Sequence, residues 1–527
     1  MRAFAPPPNK ATAFASSAFS ADGKEEIRPE YTKMMSDFNE LYSLVHPMIM
    51  KHYEECGTPK SSKFNHFAFP PEITKAFGDL PMEGSSNEEV AKSIETAFKY
   101  SVKTMHPFFM DKLYSGSDPI GQMAELVSTV INPAVHVYHV SPVFSVMEVE
   151  VIKHYAAAFG FDPEKCDGTL NPGGTMGNMM ALLAARQEHF PHVRLDGWNG
   201  TEKPVAFTPA QSHYSIKRGA MVSGMGMKNM REVPCERWTG QMDTYALEQM
   251  IIAEKEKGNH PFFVNCMAGS TVMGAFDKQN EIADIAKKHG LWHHIDGCWG
   301  GFLAWSDKHK ERLFAGTERA DSITMNCHKG QGVPNQATML LVNDKGNILK
   351  KTNTSGAEYL FHESEYSRYD IGDKTLSCGR KGDGLKIWLS IKKHGINGFK
   401  KYADDALDKS EYITNQIKAQ PDKFVMENEP MGTNICFTYI PPAFRAEGVE
   451  YTFEQKGSVH KIIFDRMNKE GTLLIQQQPL NDGVNVLPSF FRLTLKSEKS
   501  SFEDMDYVLE EIDRLGKDLT PETPIMH

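Results

Sequence analysis

The sequence of 527 residues has no long apolar run and no clustered cysteines, and its 58 basic residues are outnumbered by 68 acidic ones. No apolar run reaches ~18 residues, so we expect no membrane-spanning helix. The eight cysteines are scattered without a C-x-x-C pair. This pattern argues against a disulfide framework or a zinc ribbon and predicts reduced cysteines in an intracellular enzyme. The net charge of −10 disfavours generic binding to nucleic acid or anionic membranes, but it leaves room for a local basic pocket.

What the sequence contains is ordinary globular composition, with 40% hydrophobic and 24% charged residues, over a length that can bury a large core. Residues 1–24 have no acid before Asp22, which predicts a disordered tail or a targeting segment. Residues 25–105 predict an N-terminal helical segment. Residues 106–375 alternate strands with helices and predict a large α/β domain with a mostly parallel sheet. Residues 376–527 predict a smaller C-terminal α+β domain.

Local signals place several element boundaries. Buried strands are predicted for PVAFTP, LWHHID, SITMN and ATMLLV, and half-buried strands for TLLIQQQ and FFRLTL. Asp277 is predicted to begin a helix that ends at Gly290, and Gly395 is predicted to end the helix LKIWLSIKKHG. Ser500 and Glu503 have the spacing of a capping box for the last helix.

A glycine-rich turn, NPGGTMGN over residues 171–178, runs directly into the helix-forming segment MMALLAARQ. Such a turn lets backbone N–H groups approach an anion, and the start of a helix adds partial positive charge. Thr175 adds a hydroxyl donor. Taken alone, the turn could equally be structural, because it matches neither a Walker A loop nor G-x-G-x-x-G.

Two further features place reactive side chains at strand ends. The strand LWHHID ends in Asp296, and a carboxylate at a buried strand end needs a cation, such as a protonated ring nitrogen. The strand SITMN is followed by His328 and Lys329, and a lysine in that position can form a Schiff base with an aldehyde. Taken alone, Asp296 could be a surface-turn acid and Lys329 a surface lysine.

Together these features match the phosphate, the pyridine nitrogen and the aldehyde of pyridoxal phosphate. They occur in the order phosphate turn, acid and lysine. His213 lies between the first two in the sequence and could stack on the cofactor ring. His293 and His294 are not expected to share a metal ion, because adjacent strand residues point to opposite faces.

The motifs resemble the group II pyridoxal-phosphate-dependent amino-acid decarboxylases, and within them the branch of glutamate decarboxylase and cysteine sulfinate decarboxylase. The resemblance rests on NPGGTMGN, QSHYSIK, HHIDGCWGG, NCHKGQG, YDIGDK and FFRLTL, in family order. It implies the aspartate-aminotransferase type I fold, pyridoxal 5′-phosphate as cofactor, and a homodimer with shared active sites. It also implies a carbon–carbon lyase that serves taurine, GABA or β-alanine biosynthesis. We expect a cytoplasmic location, or import into an organelle if residues 1–24 are a targeting segment.

The resemblance also implies roles for individual residues. Lys329 carries the cofactor, Asp296 pairs with its ring nitrogen, and His213 stacks on its ring. Further cofactor contacts are implied for Gly173, Gly174, Thr175, Thr271 and His328. A substrate pocket is implied for Lys112, Leu113, Tyr114, His139 and Arg492, with Arg492 on the substrate carboxylate. In the segment that matches the family's mobile loop, Tyr366 is the predicted proton donor, and Tyr369 is the alternative.

Departures from the family pattern bear on the substrate. Cys327 and Cys298 replace a usual proline and alanine, and the reactive groups beside them are kept. Lys112 replaces a usual glutamine and His139 a usual glutamate, so that either both are merely solvated or they favour an acidic substrate side chain. We therefore expect decarboxylation of an acidic L-amino acid, with aspartate, glutamate, cysteine sulfinate and cysteate left open. The alternatives are a decarboxylase or aldehyde synthase for a neutral or aromatic amino acid, and a non-catalytic homologue.

Overall fold

The computed structural model describes residues 26–343, 346–357, 359–362, 364–496 and 499–523. The chain divides into two compact units. One is formed by residues 26–55 with Ala68–Ser101, and the other by Cys56–Phe67 with the chain from Val102 onward. The predicted tail or targeting segment at residues 1–24 lies outside the described residues. Within the described ranges, no helix combines the length and apolarity that a membrane span requires.

The first unit is helical, as its periodicity predicts. It contains most of α1 (Pro29–Gly57), together with α2 (Pro70–Phe77) and α3 (Asn87–Tyr100). α3 begins with a complete capping box, in which Ser86 accepts from the backbone of Glu89 and the Glu89 side chain accepts from the backbone of Ser86. The Asn87 side chain donates to Glu40 at 2.7 Å and so ties α3 to α1.

A seven-stranded sheet forms the centre of the second unit. Its strands are β1 (Asp167–Asn171), β2 (Pro204–Pro209), β3 (Met230–Val233), β4 (His260–Met267), β5 (Trp292–Gly297), β6 (Ser322–Asn326) and β7 (Thr338–Val342). They lie in the order β1-β7-β6-β5-β4-β2-β3. β7 runs antiparallel to both of its neighbours, and every other pairing is parallel. The predicted mostly parallel sheet is confirmed, with β7 as the exception.

Helices cover both faces of this sheet, with α6 on one face and α5 and α10 on the other. The helices of this part of the chain are α4 (Pro119–Ile131), α5 (Pro142–Ala158), α6 (Gly174–His189), α7 (Val193–Asp196), α8 (Ser215–Val222), α9 (Thr244–Glu256), α10 (Gln279–His289), α11 (Lys310–Phe314), α12 (Ile348–Asn353) and α13 (Gly384–Lys418). The strands feed two apolar cores by alternation. In β4, Phe263 joins the core that contains α6, and Val264 joins the core that contains α5 and α10.

The C-terminal part carries an antiparallel sheet in the order β10-β11-β9-β8. Its strands and helices are β8 (Phe424–Met426), β9 (Asn434–Tyr439), α14 (Phe453–Glu470), β10 (Gln476–Asn481), β11 (Val486–Thr494) and α15 (Phe502–Gly516). α13 leads into this part and is interrupted at Gly395, whose φ of 66° and ψ of 174° are not helical. The predicted helix end at Gly395 is therefore confirmed as a break between two helical segments.

Three predicted boundaries are wrong by one to four residues. α10 begins at Gln279 rather than Asp277, because the Asp277 carboxylate accepts from the backbone N–H groups of Met242 and Met267 instead of capping a helix. The final capping box joins Ser501 to Asp504 and not Ser500 to Glu503. The strand predicted from TLLIQQQ begins only at Gln476.

Candidate active site

A cavity of about 200 Å³ lies where β4, β5 and β6 end and α6 begins. Parallel sheets bind their ligands at this edge, because the carboxyl ends of the strands and the starts of the following helices meet there. Its lining is Gly174, Thr175, His213, Met267, Gly269, Ser270, Thr271, Asp296, Cys298, Trp299, Asn326 and Lys329. Six of the residues predicted to form the site lie in this lining, namely Gly174, Thr175, His213, Thr271, Asp296 and Lys329.

Asp296 presents an ionised carboxylate to the cavity. Its Oδ1 accepts from the backbone N–H of Cys298 at 3.0 Å, and its Oδ2 accepts from the side chain of Asn178 at 2.9 Å. Burial alone would raise the pKa of Asp296, but three effects outweigh it and hold the pKa below its ordinary value: the charge of His213 at the acidic pH where the ring is protonated, the hydrogen bonds from Cys298 and the field of Lys329. A cation placed in the cavity therefore meets a fixed negative charge.

His213 and Lys329 share the cavity with this carboxylate. Burial lowers the pKa of His213, and the cations of Lys329 and Arg218 add to that effect against the attraction of Asp296. The His213 ring is therefore neutral at physiological pH. Its Nδ1 accepts from the backbone N–H of Ser215 at 3.3 Å, which places the ring hydrogen on Nε2. A neutral flat ring suits stacking on an aromatic ligand.

The start of α6, with Gly174 and Thr175, forms another wall of the cavity. A Cβ atom added to Gly174 would lie 2.4 Å from the sulfur of Cys298, so no side chain fits at that position. The α6 N-terminus, the hydroxyl groups of Thr175 and Ser270, and the Asn326 amide supply donors around this wall. Such donors and the helix start suit a phosphate group.

Gly173 and His328 do not line the cavity. Gly173 is the residue before α6 and has open space around its Cα. The Nδ1 of His328 accepts from the backbone N–H of Ala337 at 3.0 Å, which anchors the ring against the chain that leads into β7. Burial lowers the pKa of His328 to about 4, so the ring is neutral. A role for either residue in holding a phosphate stays a prediction.

The donor set fits pyridoxal phosphate. Asp296 would face the ring nitrogen, Lys329 would hold the aldehyde, His213 would cover the ring, and the start of α6 would hold the phosphate. The close approach of Gly174 to Cys298 leaves the turn without a side chain that would fill this space. Among the described residues, no group of three or more His, Cys, Asp or Glu side chains could hold a metal ion.

Arg492 reaches the cavity wall from the C-terminal sheet. Its side chain is buried, with Nη1 donating to the Thr271 carbonyl at 2.7 Å and Nη2 to the Asp111 carbonyl at 2.6 Å. Its Nε has no hydrogen-bond partner among the described residues. The guanidinium therefore keeps one buried donor available beside Thr271, a residue of the lining.

Lys112 lies outside this cavity and is paired. Its Nζ donates to Gln476 at 2.7 Å and lies 3.0 Å from the Asp111 carboxylate. Its side chain is half exposed. Gln476, which accepts from Lys112, stands directly opposite Arg492 in the β10–β11 ladder. Lys112 therefore lies beside the strand pair that carries Arg492.

The other predicted pocket residues lie away from the cavity of their own chain. Leu113 packs against the apolar core, the Tyr114 ring lies 5.7 Å from that of Phe109, and His139 is exposed. The Tyr366 ring stacks on Tyr138 with centroids 4.9 Å apart. A hydrogen bond to Glu365 raises the pKa of Tyr366, with smaller contributions from burial and from Tyr138.

The family follows from a match over most of the chain. Residues 71–440 match the family described as the pyridoxal-dependent decarboxylase conserved domain. The chain belongs to the pyridoxal-dependent decarboxylase family. The acidic amino acid decarboxylase GADL1 of Mus musculus is 38% identical over 456 residues, which cover 85% of this chain and 81% of that protein. The same protein of Bos taurus is 39% identical, with 85% and 86% covered.

Solved structures agree with this assignment. The crystal structure of mouse CSAD has a TM-score of 0.86 and 32% identity, and the match covers 94% of this chain and all of that one. A structure of Oryza sativa TDC with PLP and tryptamine has a TM-score of 0.81 at 18% identity, which supports the fold alone. The predicted family, its type I fold, its cofactor and its activity as a carboxy-lyase are confirmed.

Sequence reasoning missed several lining residues of this decarboxylase, and it missed Asn178 just behind them. Asn178 lies one helical turn after Gly174 and therefore on the same face of α6, a spacing that could have revealed it. Ser270 and Trp299 directly adjoin predicted motif residues. Asn326 ends the predicted strand SITMN, but no local signal distinguished it from its neighbours.

Proposed function

We propose that this chain decarboxylates an acidic L-amino acid to the corresponding amine and CO₂. The observation that carries the proposal is the joint placement of the ionised Asp296, the neutral His213 and Lys329 in one cavity. The printed name of the GADL1 relatives, acidic amino acid decarboxylase, supports the substrate class. A non-catalytic homologue would have no reason to keep this arrangement.

Bound pyridoxal phosphate supplies an electron sink for the pair of electrons left when CO₂ departs. Asp296 would hold a proton on the ring nitrogen of the cofactor. Lys329 would provide the amine that holds the cofactor, and His213 would cover one side of its ring. Arg492 has a buried donor beside Thr271 with which to orient a substrate carboxylate.

The charges around Asp111 favour a substrate that carries either two carboxylates or one carboxylate and one sulfur acid group. Arg492 donates to the Asp111 backbone, and Lys112 pairs with the Asp111 side chain. Lys496 is also buried there and donates to the Lys112 carbonyl. Burial lowers the pKa of Lys496 to about 7, an effect that the Asp111 carboxylate opposes. Arg492, Lys112 and the partly charged Lys496 thus surround one acid, which leaves excess positive charge for an anionic ligand.

We also infer a homodimer in which each subunit completes the active site of the other. α4 places Met123, Leu126, Val127, Val130 and Ile131 on one exposed face, while Gly121, Ala124 and Ser128 are buried on the opposite face. An exposed apolar stripe at helical spacing is typical of an interface. Tyr138 lies on the chain that directly follows α4, and its ring stacks on that of Tyr366. Neither ring lines the cavity of its own subunit. Tyr366 is therefore proposed to serve the partner site as proton donor.

The remaining sequence-based assignments are kept as proposals. They are the large domain over residues 106–375, the small domain over residues 376–527, and a cytoplasmic location with possible import through residues 1–24.

The test is product analysis. Purified protein reconstituted with pyridoxal phosphate is incubated with aspartate, glutamate, cysteine sulfinate, cysteate, methionine or phenylalanine, and amine, CO₂, aldehyde and peroxide are measured. We expect amine and CO₂ in equal amounts from an acidic substrate. Aldehyde with peroxide, or a preference for phenylalanine or methionine, would instead support the alternative of a neutral or aromatic substrate.

A further inference from the structure

A chain of hydrogen bonds lies behind the active-site acid, on the face of the sheet covered by α6. The Trp292 indole N–H donates to Ser322 Oγ at 2.8 Å, and that Oγ lies 2.8 Å from His294 Nδ1. His294 Nε2 lies 3.1 Å from Asn178 Oδ1, and Asn178 Nδ2 donates to Asp296 Oδ2 at 2.9 Å. The first two links follow from geometry, because Trp292, His294 and Asp296 alternate along β5 and His294 stands beside Ser322 in the ladder.

The carboxylate end of this chain fixes the direction of its bonds. An ionised carboxylate can only accept, so the Asn178 amide turns its nitrogen to Asp296 and its oxygen to His294 Nε2. The Asn178 nitrogen also reaches Ser215. His294 Nε2 must then donate, and in the neutral ring Nδ1 accepts from the Ser322 hydroxyl, which itself accepts from the Trp292 indole N–H. No member can reverse without losing a bond among buried side chains.

We propose that His294 is a positioning residue for the decarboxylation, because it orients Asn178 so that the amide N–H, and not the amide oxygen, faces Asp296. His294 is fully buried and does not line the cavity, so it touches neither cofactor nor substrate. The inference rests on the proposed function and deepens it, because it concerns the hydrogen bond that Asn178 gives to Asp296, the proposed counter-ion of the cofactor nitrogen.

The neutral form of His294 is the one that the chain needs, since only a neutral imidazole offers one donor and one acceptor. Burial lowers the pKa of His294 to about 4, against the attraction of Asp296. Asp296 accepts at Oδ1 from the backbone N–H of Cys298 and at Oδ2 from the Asn178 amide. If the Asn178 amide turned over, an oxygen would face the carboxylate and favour its protonation, and a protonated acid cannot hold a cation.

The experiment compares His294→Phe, which keeps the ring and removes both hydrogen bonds, with His294→Gln, which keeps a donor toward Asn178. The matched control is His293→Phe, because His293 is the neighbouring and equally buried ring on the opposite face of β5. We expect His294→Phe to lower kcat by about 10- to 100-fold, the range seen when residues that orient a functional ligand are removed, with KM little changed. We expect His294→Gln to recover most of that loss.

Two measurements without substrate separate a positioning role from a merely structural one. The absorption band of the bound cofactor, titrated against pH, should move in His294→Phe and stay in place in His293→Phe, and the Kd for pyridoxal phosphate should rise with it. Ser322→Ala, a smaller change at the next link, should shift the band in the same direction if His294→Phe fails to fold. Wild-type band and kcat in both His294→Phe and Ser322→Ala would overturn the proposal. The spectra need no turnover, so they remain decisive even if the acidic substrate proves wrong.

Discussion

Lys329 is the amine in the lining of the cavity, and it stands opposite an ionised acid. We therefore expect Lys329→Ala to abolish the covalent cofactor link and the yellow colour of the purified protein. The measurement is borohydride reduction followed by peptide mass analysis, with Lys308→Ala, an exposed ion-paired lysine, as the control. A reducible link that persists in Lys329→Ala would show that another lysine carries the cofactor.

The substitution Asp296→Asn should remove the negative charge of this side chain and keep its shape. The variant keeps an acceptor for the Cys298 N–H and should therefore fold. The cofactor nitrogen would lose its counter-ion, and a loss of even ~3 kcal/mol in transition-state stabilisation slows turnover ~10²-fold. Steady-state kinetics and a melting curve with and without cofactor test this expectation. A near-normal kcat would exclude Asp296 as the counter-ion.

Substrate charge should be recognised by Arg492 and Lys112. The basic side chains around Asp111 carry excess positive charge that attracts a second carboxylate on the substrate. We therefore expect the acidic substrate to lead by at least ~30-fold in kcat/KM, which is equivalent to ~2 kcal/mol. Lys112→Gln should reduce the preference for the acidic substrate. Arg492→Lys should lower kcat/KM for every substrate, because only the guanidinium also donates to the carbonyls of both Thr271 and Asp111. The measurement is kcat/KM for six amino acids in both variants. An unchanged preference in Lys112→Gln would make Lys112 a solvated surface lysine.

At the scale of elements, local sequence patterns correctly predicted the strand and helix boundaries that depend on neighbouring residues of the chain. The segment PVAFTP coincides with β2, and Gly290 ends α10 in the left-handed conformation expected of a terminal glycine. The failures are non-local. Asp277 has the sequence of a helix cap, but its carboxylate satisfies Met242, which is 35 residues away. Likewise the helical spacing from Gly174 places Asn178 on the site face of α6, but its bonds to His294 and Asp296 form only after α6 has packed on the sheet.

Asp277 should therefore matter to stability through two backbone N–H groups. Its carboxylate accepts from Met242 at 2.7 Å and from Met267 at 2.6 Å. Asp277→Ala leaves both donors unpaired and buried, at about 1–3 kcal/mol each, so we expect the free energy of unfolding to fall by about 2–5 kcal/mol. Urea unfolding of wild type and variant measures this change in the free energy of unfolding. Asp284→Ala, an exposed residue of α10 in a surface ion pair, is the control and should cost under about 1 kcal/mol. Equal effects in the two variants would contradict the assignment.

At the scale of the whole molecule, the exposed stripe of α4 and the position of Tyr366 outside its own cavity lead to one decisive experiment. Lys329→Ala and Tyr366→Phe should each be nearly inactive in decarboxylation. If Tyr366 serves the partner site, a dimer with one subunit of each kind holds one doubly damaged site and one intact site. Random pairing of coexpressed subunits makes half of all dimers mixed, so about a quarter of wild-type activity should return.

The same mixture separates the competing arrangements. If Tyr366 instead moved into the cavity of its own subunit, every site would keep exactly one defect, and mixing would restore nothing. Coexpression of Lys329→Ala with Asp296→Asn is the matched control, because both residues line one cavity of one chain and cannot complement across an interface. Val130→Glu with Ile131→Glu, placed on the α4 stripe, should turn the dimer into monomers in sedimentation and abolish the recovered activity. Recovery that survives in monomers would refute the shared site, because only a second subunit can supply the missing tyrosine.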